Sequence, residues 1–268
     1  MVRIGTVWDR TVDVLKGRAG ILVPIAVMSL FVPSVVNTAL AAFGPTGSGA
    51  VALLGMVVAL AVLLANIWGQ LAMLAVATHP ATTRADAGRQ ATARLLPALG
   101  VILTMAVLFA LALVPPIAVM MNAGIDLTHG SVAVQSLPAS VSGFIGLYSL
   151  VLLVVVFVVG ARLILLNPVI LNERRGLGAV MRSFRLTRGL TLKIIGVMVL
   201  FAIVLLVPML AIQAVFGLIA RLILGAESLN AVGFVAGVAG AAVTSLFSVV
   251  AAAFTAQLYV AVADDRVD

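Results

Sequence analysis

Few residues in this chain are of types that carry out chemistry. Among 268 residues there are two histidines, nine acidic residues and no cysteine, which removes disulfides, thiolate catalysis and cysteine-ligated metals. The acidic residues are scattered. His79 precedes Pro80 in a connecting segment and reads as a solvated loop residue, so only Asp126 and His129, in "GIDLTHG", are spaced to meet on one helical turn. Such a pair is an acid/base couple or two metal ligands, but it lacks the third ligand of a catalytic zinc and the second carboxylate that activates water. Loop polarity is the simpler account. No glycine-rich phosphate loop and no Ser-His-Asp set is evident, so the sequence points away from an enzyme and implies neither metal nor cofactor.

Arg162 is placed differently. It lies about two helical turns inside an apolar stretch, where a guanidinium costs several kcal/mol unless it is paired, hydrated or able to reach headgroups. One reading is that the side chain extends to surface phosphates, aided by a helix break at Pro168. The other is that Arg162 converges with Gln70 and Gln257, its counterparts in an internal repeat, as a polar cluster holding a lipid phosphate or a small anion.

The elements that position these residues follow from composition. With 63% hydrophobic and 9% charged residues and a mean hydropathy of +1.29, the chain cannot cover a water-exposed surface, which needs charges at about a quarter of positions. The expected fold is an all-α polytopic membrane bundle, a single integral membrane domain over 1–268. Six apolar segments, near 20–43, 51–77, 95–119, 141–166, 192–218 and 231–262, meet the requirement of about 20 residues per span. Pro24, Pro33, Pro115, Pro116, Pro168 and Pro208 sit inside or at the ends of spans and predict irregular helices. The start imitates a cleaved signal, with "ALA" at 39–41, but its apolar run is longer than the 7–15 residues typical of such signals. Six spans are retained, paired as three hairpins.

Orientation follows from the basic residues. Arg3, Arg10, Lys16 and Arg18 precede the first span, Arg84, Arg89 and Arg94 follow the second, and Arg174, Arg175, Arg182, Arg185, Arg188 and Lys193 follow the fourth. With Arg266 these make 14 of the 16 basic residues on one side, which predicts that both termini face the cytoplasm. The net charge of +7 and pI near 11.3 then read as attachment to an anionic membrane face, not to nucleic acid.

Repetition appears in "MAVLFALALVPP" (105–116) and "MVLFAIVLLVPM" (198–209), where Val107 to Ala110 and Pro116 match Val199 to Ala202 and Pro208 at an offset of 92. The same offset carries Gln70 onto Arg162, and Gln257 occupies the corresponding place in "AQLYVA". Two segments, 1–18 and 172–190, read as amphipathic helices on the cytoplasmic surface. In the first, Ile4, Val7, Trp8, Thr11, Val14 and Leu15 form one stripe; in the second, Leu177, Val180, Met181 and Phe184 recur at helical spacing, with Arg175, Arg182 and Arg185 opposite. Thr83 and Asp86 have capping-box spacing for a helix start. Gly233, Gly237 and Ala241, four apart, let a neighbouring helix approach closely, within the chain or in a dimer.

The stretch "ARLILLNPVILNERRGLGAVMRSFRLTRGLTLKIIGVMVL" (161–200) resembles the membrane domain joined to some bacterial glycerophosphodiester phosphodiesterases, which also occurs alone in multi-pass membrane proteins. The likeness lies in a helix ending in apolar residues and proline, a turn at Asn172, Glu173 and Arg174, and the Ser, aromatic, Leu, Thr, basic and Gly positions of Ala179 to Gly189. It implies a bacterial inner-membrane helical bundle without the catalytic barrel of the fused enzymes.

The functional expectation is a non-enzymatic inner-membrane protein that is lipid-associated or scaffolding. Its expected partners are membrane lipids, anionic phospholipid among them, with a protein partner or second copy left open; Arg175, Arg182, Arg185, Arg188 and Lys193 form its basic face. The alternative is a transporter or channel for a small anion or lipid-derived solute. A polar cavity crossing the fold favours transport; a shallow basic groove open to the inner leaflet favours lipid binding.

Overall fold

A computed structural model describes residues 3–44, 49–123, 138–225 and 227–264, which form helices and no strand. The chain runs as α1 (Ile4–Ala26), a π-helical turn (Val27–Phe31), α2 (Val32–Phe43), α3 (Gly49–Thr78), α4 (Arg84–Ala112), α5 (Val114–Asn122), α6 (Ala139–Leu163), α7 (Leu166–Asn172), α8 (Gly178–Leu186), α9 (Thr191–Leu224) and α10 (Leu229–Asp264). Six units are long and apolar enough to cross a membrane: Ile4–Phe43, Val51–Thr78, Arg84–Asn122, Ala139–Asn172, Thr191–Leu224 and Leu229–Asp264. The protein is thus an all-α polytopic bundle, and its six units contain the six apolar segments of the sequence. The first is 40 residues long; at 1.5 Å per residue it reaches about 60 Å, twice the roughly 30 Å hydrocarbon layer, so its basic start projects beyond the membrane.

Proline explains most of the interruptions. Pro33 has no N–H to donate and its ring crowds the carbonyl four residues back, Ser29; there the helix widens by one residue and the Val32 N–H bonds the Val27 carbonyl. Pro115 and Pro116 begin α5 after a turn at Leu113. Pro168 acts on Ile164, where α6 stops and α7 begins two residues on. Pro208 is carried inside α9 without ending it, as Pro24 is in α1 and Pro97 in α4.

Helix α10 is the hub, packing on α1, α2, α3, α7 and α9. The dense core lies at the basic end, where Leu22, Leu71, Met73, Leu165, Ile170, Leu186, Ile194 and Leu258 are sealed. Towards the other end the helices part. Helix α6 packs mainly on α9, α5 and α8, and the consecutive residues Leu153, Val154, Val155 and Val156 are exposed right around its circumference. The total exposed area, 15309 Å², exceeds the roughly 11,000 Å² expected of a water-soluble monomer of this mass, and apolar side chains make up the excess.

The amphipathic start does not lie apart on a surface. It is continuous with the first span, and its stripe turns towards the protein: Val7 and Thr11 are buried, and Ile4, Val14 and Leu15 pack against the core. Trp8 remains half exposed beside Phe254, ring centroids 6.4 Å apart. In the stripe of small residues on α10, Gly237 serves internal packing, since a Cβ there meets Thr38 Cγ2 at 2.6 Å, whereas one on Gly233 meets nothing within 4 Å; Gly240, outside the stripe, packs against the Gln213 amide.

The tightest approach is between α3 and the π-helical turn. A Cβ at Gly69 overlaps Ser29 Oγ and comes within 2.5 Å of Ser29 Cβ, so rotating the serine does not relieve it. Gly69→Ala is expected to lower unfolding stability in detergent by about 1–3 kcal/mol, while Gly55→Ala on the same helix, where nothing lies within 4 Å, leaves it unchanged or slightly raised; thermal unfolding of the pair checks this.

Candidate functional site: a basic hollow between α4 and α7

The basic end contains a hollow of about 410 Å³ lined by His79, Arg89, Gln90, Ala93, Arg94, Leu171, Asn172 and Arg174. Three elements form it. Helix α4 starts at a Thr83 cap, whose hydroxyl accepts the Asp86 N–H at 3.2 Å, as the capping-box spacing predicts. From that start Arg89, Gln90, Ala93 and Arg94 fall on one face. The α3–α4 connection contributes His79, and the end of α7 contributes Leu171, Asn172 and Arg174.

Each wall is fixed by a specific contact. The Asn172 amide donates to the Pro168 carbonyl at 3.0 Å, which leaves its oxygen to face His79 Nε2 at 3.2 Å. His79 is an exposed residue of the α3–α4 connection, as expected from sequence, and this contact also ties it to α7. Nε2–H donates in this arrangement and Nδ1 remains free. Arg89 pairs with Asp86 at the rim. Arg174 has φ 55, a left-handed conformation that costs a non-glycine residue about 1–2 kcal/mol. Its neighbours hold it there: Glu173 accepts from Arg182 Nε at 2.9 and 3.1 Å and forms an ion pair with Arg175, Nε 3.1 Å away, and the Tyr259 hydroxyl lies against the same carboxylate. Glu173 thus binds two of the sequence's basic-face residues to the protein, while Arg94 and Arg174 have no carboxylate partner among the described residues.

The other expected site residues divide among separate partners. Arg162 lies over the Phe184 ring, 5.8 Å from its centroid, with Nη1 3.5 Å from the Phe184 carbonyl. Its own carbonyl, freed by the end of α6, accepts the Ser183 hydroxyl at 2.6 Å and lies 3.4 Å from Thr187 Oγ1. Gln257 is buried and donates to the Ala77 carbonyl at 2.7 Å, in the last turn of α3. Gln70 is exposed. The three matched positions thus have three different surroundings and no hydrogen bond joins them. Arg185, Arg188 and Lys193 are exposed and unpaired among the described residues, as a basic face requires. On α8, Val180 and Phe184 turn partly inward with buried Ala179, Ser183 and Leu186, and Leu177 and Met181 remain outside. Asp126 and His129 lie outside the described residues.

The hollow itself was not foreseen from sequence. Its arginines were visible only as topogenic charges, and the one signal that pointed to it was the clustering of cations from the end of "THPATTR" and of "LNERR" onward.

Two expectations follow. Arg174→Gly should unfold at a temperature equal to or above that of the wild type, and Arg174→Val below it, the two differing by at least about 1 kcal/mol, because only glycine is at ease with φ near +55°. Replacing both hydroxyls, Ser183→Ala with Thr187→Val, should cost about 1–3 kcal/mol by leaving the Arg162 carbonyl without a donor; both sets are read by thermal unfolding in one detergent.

Compared with protein-family models, with curated proteins and with solved structures, the chain gives no match.

Proposed function

We propose that this chain is a non-enzymatic protein of a bacterial inner membrane, with its basic end in the cytoplasm, that associates with anionic phospholipid. The observation that carries the reading is the set of unpaired cations at that end. Arg185, Arg188 and Lys193 have no carboxylate partner among the described residues, and beside them Leu177, Met181 and Leu192 present bare apolar side chains. Cations alternating with exposed apolar groups suit the boundary between headgroups and acyl chains, where each Lys or Arg near an anionic leaflet contributes roughly 1 kcal/mol. The likeness of residues 161–200 to the membrane domain of bacterial glycerophosphodiester phosphodiesterases supports the compartment. Transport of a small anion or lipid-derived solute is the second reading, favoured by the loose packing of α6. It is weakened because Arg162, the deep arginine of the fourth span, is engaged with α8, so its backbone and ring contacts already give it a structural task.

The test has two parts. Purified protein in mild detergent should gain several degrees in melting temperature from phosphatidylglycerol but not from phosphatidylcholine, and Arg185→Ala/Arg188→Ala/Lys193→Ala should remove much of that gain; equal responses to both lipids would sink the reading. Because the chain has no cysteine, Arg188→Cys gives a single label site, and a membrane-impermeant maleimide should reach it in inverted vesicles and not in intact cells.

A further inference from the structure

We propose that the hollow between α4 and α7 is a seat for one phospholipid, its phosphate among Arg94, Arg174 and Arg89 and an acyl chain against the face of α4 above them. This rests on the lipid-associated reading and names the ligand and its place. The surface cations of α8 and α9 are a separate set of residues, so the two can fail separately.

The charge is the first argument. Arg94 and Arg174 approach one hollow from two elements without a carboxylate between them, and Asp86 occupies Arg89 only at the rim. Guanidinium groups present paired N–H donors that match phosphate oxygens. The strained backbone at Arg174 is the second. Glu173 is fastened to Arg175 and Arg182 on one side, and the left-handed turn sends the next side chain into the hollow.

What distinguishes a lipid from a free anion is the surface just beyond. The face of α4 that lines the hollow continues at helical spacing through Pro97, Gly100, Thr104 and Leu108. A Cβ on Gly100 meets nothing within 4 Å, and the Thr104 hydroxyl is satisfied by the Gly100 carbonyl at 2.8 Å, so this strip is shallow and offers no unmet polar group. Leu96, two turns past Arg89 on the same side of the helix, is 78% exposed, which continues the apolar surface beyond that cation. Helices α4 and α6 do not pack on one another along this stretch. They are joined below through α7 and above by the Tyr148 hydroxyl, which donates to the Ala112 carbonyl at 2.5 Å. The apolar face of α4 above the hollow is thus not covered by α6. A headgroup and a chain fit these two surfaces together.

Native mass spectrometry of the full chain, released from detergent containing equal amounts of phosphatidylglycerol and phosphatidylcholine, tests it. One phosphatidylglycerol per chain should survive. Arg94→Gln with Arg174→Gly should lower its retention at least tenfold, and the second substitution relieves the backbone, so folding is preserved. Gly100→Trp, at a position where an added Cβ meets nothing within 4 Å, should lower it similarly, whereas Arg185→Ala/Arg188→Ala/Lys193→Ala should not. Retention indifferent to the Arg94 and Arg174 changes overturns the seat, and if the triple surface variant alone reduces the lipid response, the broader reading stands without it. If inorganic phosphate protects the protein from unfolding as well as phosphatidylglycerol does, and Gly100→Trp leaves lipid retention intact, the site is one for a free anion and the lipid proposal fails.

Discussion

A backbone carbonyl that loses its helical partner inside a membrane protein must find another donor, because no water is at hand to supply one. This requirement is met by a side chain from elsewhere in the fold at four helix ends or breaks of this chain. The Ala77 carbonyl at the end of α3 is met by Gln257, the Ala112 carbonyl ahead of α5 by Tyr148, the Arg162 carbonyl at the end of α6 by Ser183 with Thr187 near, and the Thr82 carbonyl before α4 by Arg18 at 2.8 Å. Each donor comes from a different element than its acceptor. The interruptions are therefore the points at which the helices are held together, and no buried side-chain N or O is without a partner among the described residues.

That arrangement gives the basic end its rigidity and, with it, the shape of the hollow. Once α6 stops at Leu163, the short helix α7 carries its apolar residues Leu166, Val169 and Ile170 into the core and delivers Asn172 and Glu173 to fixed partners. Glu173 has two arginines and a tyrosine about it, so that carboxylate is fully engaged. The imbalance lies one residue further on, at Arg174, and across the gap at Arg94. A single carboxylate therefore separates the cations that build the fold from those that remain for a ligand.

The sequence made the spans and their common basic end legible, since both depend on sums over many residues: apolar length for the helices, and the bias of lysine and arginine for the ends. The Thr83–Asp86 cap was legible because it is local. The amphipathic stripe of residues 4–15 was visible too, but periodicity gives the existence of an apolar face and not what covers it, and here α10 and α3 compete with lipid for that face and win. The matched polar positions misled for a related reason. Gln70, Arg162 and Gln257 share a place in the pattern, yet which carbonyl each one meets depends on where neighbouring helices stop, and the stop near Arg162 is created by Pro168 alone. Nor does any pattern reveal a left-handed arginine, which is fixed by Glu173's long-range partner Arg182.

The repeat also shows how one residue changes a hairpin. Pro116 and Pro208 match at the constant offset, but Val207 stands where the other copy has Pro115. One proline removes one hydrogen bond, and α9 absorbs the loss within a continuous helix of 34 residues. Two in succession remove two adjacent donors and crowd two carbonyls, those of Leu111 and Ala112, so α4 ends and α5 begins anew. The freed Ala112 carbonyl then takes its donor from Tyr148 on α6, which ties the two arms of the second hairpin at their far end. With α7 against α4 at the near end, the arms are pinned twice and left apart between. The third hairpin, lacking the second proline, closes α9 on α10 along its length. The sparse packing between α4 and α6 above the arginines is thus a consequence of Pro115 as much as of any charge.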